Sequence, residues 1–275
     1  MKHAYLILAH SSFDLLRLLI SRLDDERNDI FVHIDKKVKD LPKLYVEKAK
    51  LFMLDNRIDV RWGDWTVVEA EYALFEAAVA KGPYAYYHLL SGVDLPVKSQ
   101  DYIHEFCDAH QGTEFIGYTL TSITPEVVRK VQRWHLFPED FRNASIVKRA
   151  LRALYIRFQE ILGLYRNRDV EFKKGSQWVS VTDRMARYFL SKHSWAQKVF
   201  THSFCSDEMV FQTLGWHSPF RERLYNTVDD GSGCLRAIGW RDGQLIDWMP
   251  EDWPRLVASE ALFARKFNSS IMGKV

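Results

Sequence analysis

An α/β fold with a mostly parallel sheet is the class this chain predicts, and three observations carry it. Strand-like and helix-like segments alternate through the first third of the sequence. The strand candidates are short, continuously apolar runs, the pattern of strands covered on both faces. At 275 residues, with 47% apolar and 27% charged side chains, the chain has the size and composition of one large globular domain with an insertion.

In order, Ala4–Ala9 is the first central strand. Ser12 caps a helix in which Leu15, Leu16, Leu19, Ile20 and Leu23 recur at helical spacing. Asp29–Ile34 is the second strand and runs into His33-Ile34-Asp35. Pro42 to Leu51 predicts a helix, Ile58–Val60 a short strand, and Thr66-Val67-Val68-Glu69 a capping box opening a helix to Ala80. Tyr86–Leu90 is a third core strand, broken by the turn formers of Ser91-Gly92-Val93-Asp94-Leu95-Pro96. Ligands of such sheets lie beyond the carboxyl ends of the strands. Ala9-His10, His33–Asp35 and Ser91–Asp94 therefore form one candidate rim. Near the far end, Gln177–Val181 reads as a strand, Thr182–His193 as a helix, and Asp207–Leu214 as a helix capped by Ser206.

The stretch from Arg129 to Lys174 differs in kind. It holds 12 Lys/Arg against 5 Asp/Glu, a local net of +7 in a chain whose formal net charge is only +2. Val147, Leu151, Leu154, Tyr155, Phe158, Ile161, Leu162 and Tyr165 predict one apolar face on a long helix, with Lys148, Arg149, Arg152 and Arg157 off it. Two readings stand: a face packed on the sheet domain, or a helix lying on an anionic membrane surface. We place this helical insertion at about 125–174 within a single domain spanning 1–275.

The near-neutral charge makes no case for a nucleic-acid partner. Cys107, Cys205 and Cys234 lie far apart, which is neither a disulfide framework nor a zinc site. No apolar run approaches a membrane span, and the first apolar stretch reads as a buried strand without a cleavage site. A cytoplasmic protein is expected, at most peripheral to the inner membrane face.

For chemistry, Glu208 in Ser206-Asp207-Glu208 is the carboxylate to single out. Asp207 and Glu208 either complement the positive end of a helix, or one of them faces a cleft and takes a proton from a hydroxyl. Helix neighbours do not face each other, so the pair makes a poor glycosidase dyad. Arg265 and Lys266 form a basic spot near the C-terminus, and Arg236 and Arg241 flank it around Trp240; together they suit a diphosphate. Phosphate loops of the Gly-x-x-x-x-Gly-Lys and Gly-x-Gly-x-x-Gly kinds are absent. So is an Asp-x-Asp after a strand, with Asp94 alone in the expected place. His33 and Asp35 offer a donor and an acceptor to a ligand.

These segments resemble the core-2/I-branching N-acetylglucosaminyltransferase and peptide O-xylosyltransferase family, in compact form. The resemblance runs through Ala4–His10, Phe31–Asp35, Trp62–Glu71, Tyr87–Lys98, Gly175–Trp178, Ser206–Glu208 and Leu262–Phe267, in family order. It implies a GT-A-like mixed sheet flanked by helices and an inverting transfer from a UDP-sugar to a hydroxyl of a glycan or lipid-linked glycan. N-acetylglucosamine is the first donor sugar, with xylose, glucose and galactose as alternatives, or a non-catalytic nucleotide- or sugar-binding module. It further implies Glu208 as base, Arg236 and Lys266 on the diphosphate, and Asp35 on the nucleoside, with His10, Gly92 and Asp94 beside them. Ser176, Gln177, Trp178, Asp207 and Trp240 would border the sugar and acceptor, Trp178 either stacking on a sugar or packing in the core. No metal or other cofactor is expected.

Overall fold

The structure, a computed structural model, describes residues 1–119 and 124–274. Strand β1 (His3–Ala9) is followed by helix α1 (Phe13–Leu23), β2 (Asn28–Ile34), β3 (Lys50–Met53), α2 (Thr66–Lys81), β4 (Tyr86–Ser91), β5 (Leu95–Pro96) and α3 (Gln100–Ala109). Helices α4 (Pro125–Val131) and α5 (Ile146–Ile161) carry the basic stretch. Then come β6 (Ser180–Thr182), α6 (Asp183–Ser191), α7 (His193–Phe200), α8 (Val210–Trp216), α9 (Asp230–Cys234), β7 (Arg236–Ile238), β8 (Trp240–Arg241), β9 (Gln244–Leu245), α10 (Trp253–Ala258) and β10 (Phe263–Arg265).

The main sheet has the order β3-β2-β1-β4-β6. Its pairs are parallel except β4 with β6, which makes the sheet mixed. Alternation along the buried strands sends side chains to two cores. Leu6, Phe31 and Leu89 join Tyr72 and Phe75 of α2, Phe189 of α6 and Phe211 of α8. Tyr5, Ile7, Val32 and Leu90 join Leu15, Leu16 and Leu19 of α1 and Ile103 of α3. The expected α/β class, a mixed sheet between helices, is therefore the observed one.

Register places the rim. Ala9 pairs with Ile34 and Leu8 with Ser91, so three strands end side by side. The amide of Asp35 donates to the Ala9 carbonyl at 2.9 Å and that of Gly92 to the Leu8 carbonyl at 2.8 Å, extending the ladder into the loops. A second sheet, β5-β10-β7, sits against this rim and brings residues 236 and 263–267 to it.

Several local expectations are corrected. Residues 42–49 form no helix, because their amides have another acceptor: Asp24 takes hydrogen bonds from the backbone N–H of Glu47, Lys48 and Ala49. Ile58–Val60 is a loop pinned by the Ile58 amide donating to His33 Nε2 at 2.8 Å, which also occupies the ring nitrogen expected to meet a ligand. Ser12 starts α1 through left-handed backbone, not through its hydroxyl. Thr66 makes no capping box; its hydroxyl accepts from the Arg61 amide instead. The strand over 177–181 shrinks to β6, and α6 ends at Ser191 before a separate α7. The helix over 207–214 is broken: Ser206–Glu208 is one 3-10 turn entered from Cys205 at φ 51°, and α8 begins after Met209.

The long basic helix exists but is shorter than expected. Ser145 caps α5 by accepting from the Lys148 amide, and Gly163 at φ +60° follows its end, leaving Tyr165 outside. Its apolar face does not pack on the sheet domain. Among the described residues no helix is long and apolar enough to cross a membrane.

Candidate active site

Glu208 sits on the short 3-10 turn with its side chain 40% exposed. Its backbone carbonyl accepts from the Gly175 amide at 2.9 Å. Two cations bracket its carboxylate, Lys174 Nζ at 3.6 Å and Lys130 Nζ at 3.9 Å. Both come from the limits of the basic stretch, a pairing with Glu208 that spacing along the sequence does not reveal. The turn ends just before the N-terminus of α8, so both acids still stand at the positive end of a helix.

Asp207 faces the opposite way. The residue is partly buried with its Oδ1 shut off from solvent, and burial, reinforced by the Glu208 charge, pushes its carboxyl up to about 7. Glu71 lies in the same interior, pushed well above the usual carboxylate range by burial and then by Asp207. Gln177 Nε2 donates to Glu71 Oε1 at 2.6 Å. Neither Asp207 Oδ1 nor Glu71 Oε2 has a partner among the described residues. Glu208 is thus the more open acid of the pair, while Asp207 turns an oxygen towards the interior beside Glu71. Glu71 is an acid on the buried stripe of α2, between Val68 and Tyr72, and that intrusion is the signal that marks it.

Residues 175–178 run from Glu208 towards the basic spot, three peptide steps or about 10 Å at full extension. The Ser176 amide donates to Asp230 Oδ1 at 2.7 Å, and the Ser176 hydroxyl accepts from the Trp178 amide at 3.4 Å. Trp178 is 4% exposed, and the Arg265 guanidinium lies 4.4 Å above its ring. A sugar cannot stack there, so Trp178 packs in the core. Ser176 and Trp178 are buried, and Gln177, partly exposed, commits its Nε2 to Glu71.

Arg265 also donates to Asp94 Oδ1 at 3.2 Å. Asp94 is fully buried and further accepts from the Ser91 amide at 2.9 Å and the Ser91 hydroxyl at 2.5 Å. Its oxygens are committed to its own loop and to Arg265, so it acts on a ligand only through them. Gly92 is needed for close approach, since a Cβ there would meet the Ala9 Cβ at 2.9 Å. Asp35 is nearly buried, paired with Lys37 Nζ at 2.9 Å, while His10 stands exposed on the rim. Lys266 lies at the end of β10 with its side chain 41% exposed, 3.4 Å from Asp247 Oδ1.

Arg236 opens strand β7. Its guanidinium is buried, lies 4.4 Å from the Phe263 ring, and donates to the Cys234 carbonyl at 2.7 Å, the Val179 carbonyl at 3.2 Å and the Ser180 hydroxyl at 3.0 Å. It ties β7 to β6, while its Nε has no partner among the described residues and the residue lines the open cleft described below. Ser180 in turn meets His88 Nδ1 at 2.7 Å, and His88 Nε2 meets His3 Nδ1 at 3.1 Å. His3, His88 and Cys107 bring ligand-type atoms together, but the two histidines are hydrogen-bonded to each other in the interior.

An open cleft of about 590 Å³ adjoins Ser176 through Asp230. Asp229, Asp230, Trp240, Trp248 and Glu260 line it. Trp240 is 64% exposed on the β8–β9 hairpin, the aromatic face in this region that remains available to a sugar.

Comparison with known proteins defines the class. The family described as Core-2/I-Branching enzyme matches residues 3–268, and the chain belongs to that family. A curated relative, "Xylosyltransferase oxt" of Drosophila pseudoobscura pseudoobscura, is 24% identical over 267 residues, covering 88% of this chain and 28% of its own. The chain therefore spans little more than a quarter of the length of that relative. Mouse xyloside xylosyltransferase 1 in its apo form superposes at a TM-score of 0.39 with 10% identity, over 96% of each chain.

Proposed function

We propose that this chain moves a sugar from a UDP-sugar to a hydroxyl of a glycan or lipid-linked glycan, with inversion at the anomeric carbon. The observation that carries the reading is Glu208: a solvent-open carboxylate held by Gly175 and bracketed by Lys130 and Lys174, beside a cleft lined by Trp240 and Asp230.

Glu208 accepts the proton of the acceptor hydroxyl as that oxygen attacks C1 from the face opposite the UDP. Lys266, on the rim formed with β10, meets the charge that develops on the leaving diphosphate. Arg265 is a positioning residue for that rim, clamped between Asp94 and Trp178. Asp35 and His10 stand where the nucleoside of the donor meets the strand ends. Asp94 has its oxygens taken by Ser91 and Arg265, which favours cationic side chains over a metal ion for holding the diphosphate. No nucleic acid partner is proposed.

N-acetylglucosamine is the first donor sugar. Xylose is the second, favoured by the name of the curated relative. The test is a panel of UDP-sugars read by thermal stabilisation and by slow hydrolysis to UDP. Selective turnover of UDP-N-acetylglucosamine supports the first reading and selective turnover of UDP-xylose the second. Stabilisation by UDP without turnover of any sugar would leave a binding module and end the transferase reading.

A further inference from the structure

Helix α5 is mounted the unusual way round. Its polar and mixed side carries the packing: Gln159 receives the Trp134 amide at 2.9 Å and returns a bond to the Trp134 carbonyl at 2.9 Å. Arg152 donates to the carbonyls of Leu136 and Phe137 at 3.0 Å and lies 4.1 Å over Phe141, while Lys148 pairs with Asp140 at 2.6 Å. Val147, Leu151, Leu154, Phe158, Ile161 and Leu162 face outward, each between 46% and 72% exposed. A continuous apolar stripe on one helix is the kind of surface that an ordinary monomer does not leave in water.

Charge identifies what covers it. From Arg142 to Arg168 the chain carries seven Lys/Arg and one Asp/Glu, and Arg142, Arg149, Arg157 and Arg168 are exposed. A second copy meeting this face symmetrically would bring two strongly positive surfaces together. An apolar stripe with a basic margin is instead complementary to a layer with negative headgroups above hydrocarbon.

We propose that α5 docks this protein onto an anionic phospholipid surface, the stripe entering the headgroup–acyl boundary and Arg149 and Arg157 meeting the headgroups. Helix α4 stands between this surface and the candidate site: Arg129 pairs with Glu160 of α5 at 3.0 Å, and the adjacent Lys130 lies 3.9 Å from Glu208. Docking therefore holds the Glu208 cleft within one helix of the lipid. The proposal stands apart from the choice of donor sugar, and its test uses no sugar at all.

The test is co-sedimentation of the intact chain with phosphatidylcholine vesicles and with phosphatidylglycerol-rich vesicles, at low and high salt. Binding is expected to the anionic vesicles only and to weaken with salt. Leu154→Glu with Phe158→Glu should lower partition more than about tenfold. Arg149→Glu with Arg157→Glu should lower it at least about tenfold at low salt, each charge being worth roughly a fivefold change. All four side chains are exposed, so circular dichroism and melting temperature should match the parent; Arg152 is unsuitable because it holds the helix. The proposal fails if the anionic vesicles leave the protein in solution at low salt, if neutral vesicles bind it equally, or if neither variant alters binding. It also fails if the parent is a dimer that Leu154→Glu with Phe158→Glu dissolves and that shows no lipid binding.

Discussion

At the residue scale, one short turn gives two adjacent carboxylates different surroundings: Glu208 meets two lysines at the surface, and Asp207 turns an oxygen inward beside Glu71. Glu208→Gln keeps the shape and the backbone bond to Gly175 but cannot accept a proton. Transfer should fall by about 10²–10⁴-fold, with UDP binding, read by calorimetry, nearly unchanged. Asp207 makes a different prediction. Unfolded, an aspartate releases its proton near pH 4, whereas here burial holds it to about 7. Between those values the folded chain keeps a proton that the unfolded chain has lost, so Asp207 lowers stability as pH rises through that window. Asp207→Asn does not titrate. Its stability relative to the parent should therefore rise from pH 4 to pH 7 and level off above, by roughly 2–4 kcal/mol. Chemical denaturation at pH 5 and pH 8 measures this, and an unchanged difference would mean that Asp207 is ionised in the folded protein at both.

At the element scale, the segment over 175–178 joins Glu208, the proposed base, to the basic spot, and its backbone has no room to spare. A Cβ on Gly175 would stand 2.0 Å from the Gly117 carbonyl oxygen and 2.9 Å from Asp230 Oδ1. Gly175→Ala should destabilise by about 2–4 kcal/mol and reduce turnover beyond the loss of folded protein, since the Gly175 amide holds the Glu208 carbonyl. A melting curve and an activity normalised to folded fraction separate the two effects. The same scale shows what was legible in the sequence. Ala4–Ala9, Asp29–Ile34 and Tyr86–Leu90 were readable because central parallel strands are apolar on both faces, and the rim followed from where they end. The segment from Pro42 was not, since Asp24, a residue distant in sequence, captures its amides. Nor was the break before Met209, which depends on left-handed backbone at Cys205. Within the site, Glu208 and Lys266 stand in open positions, Arg236 lines the cleft while bonded to Ser180, and Asp94 and Trp178 are turned inward. A motif preserves residue identity; the direction of a side chain is decided by neighbours such as Ser180, Ser91 and Arg265.

At the scale of the whole molecule, the rim is assembled from two sheets, and the ligand that bridges them should stabilise both. UDP at 100 times its dissociation constant should add about 2.7 kcal/mol to stability, and Lys266→Ala should remove most of that gain. If cationic side chains hold the diphosphate, the gain and the turnover should survive excess EDTA; loss of both on chelation, with restoration by Mn²⁺, would assign the diphosphate to a metal. A last consequence lies in how α5 is attached. Its side-chain bonds to Trp134, Leu136, Phe137, Asp140 and Arg129 all reach one short neighbouring segment, and none of them reaches the strands. The helix is bolted on, not woven in. The proposed surface contact and the proposed chemistry thus sit on separable parts, and α5 can be altered while the Glu208 turn and the rim stay as they are.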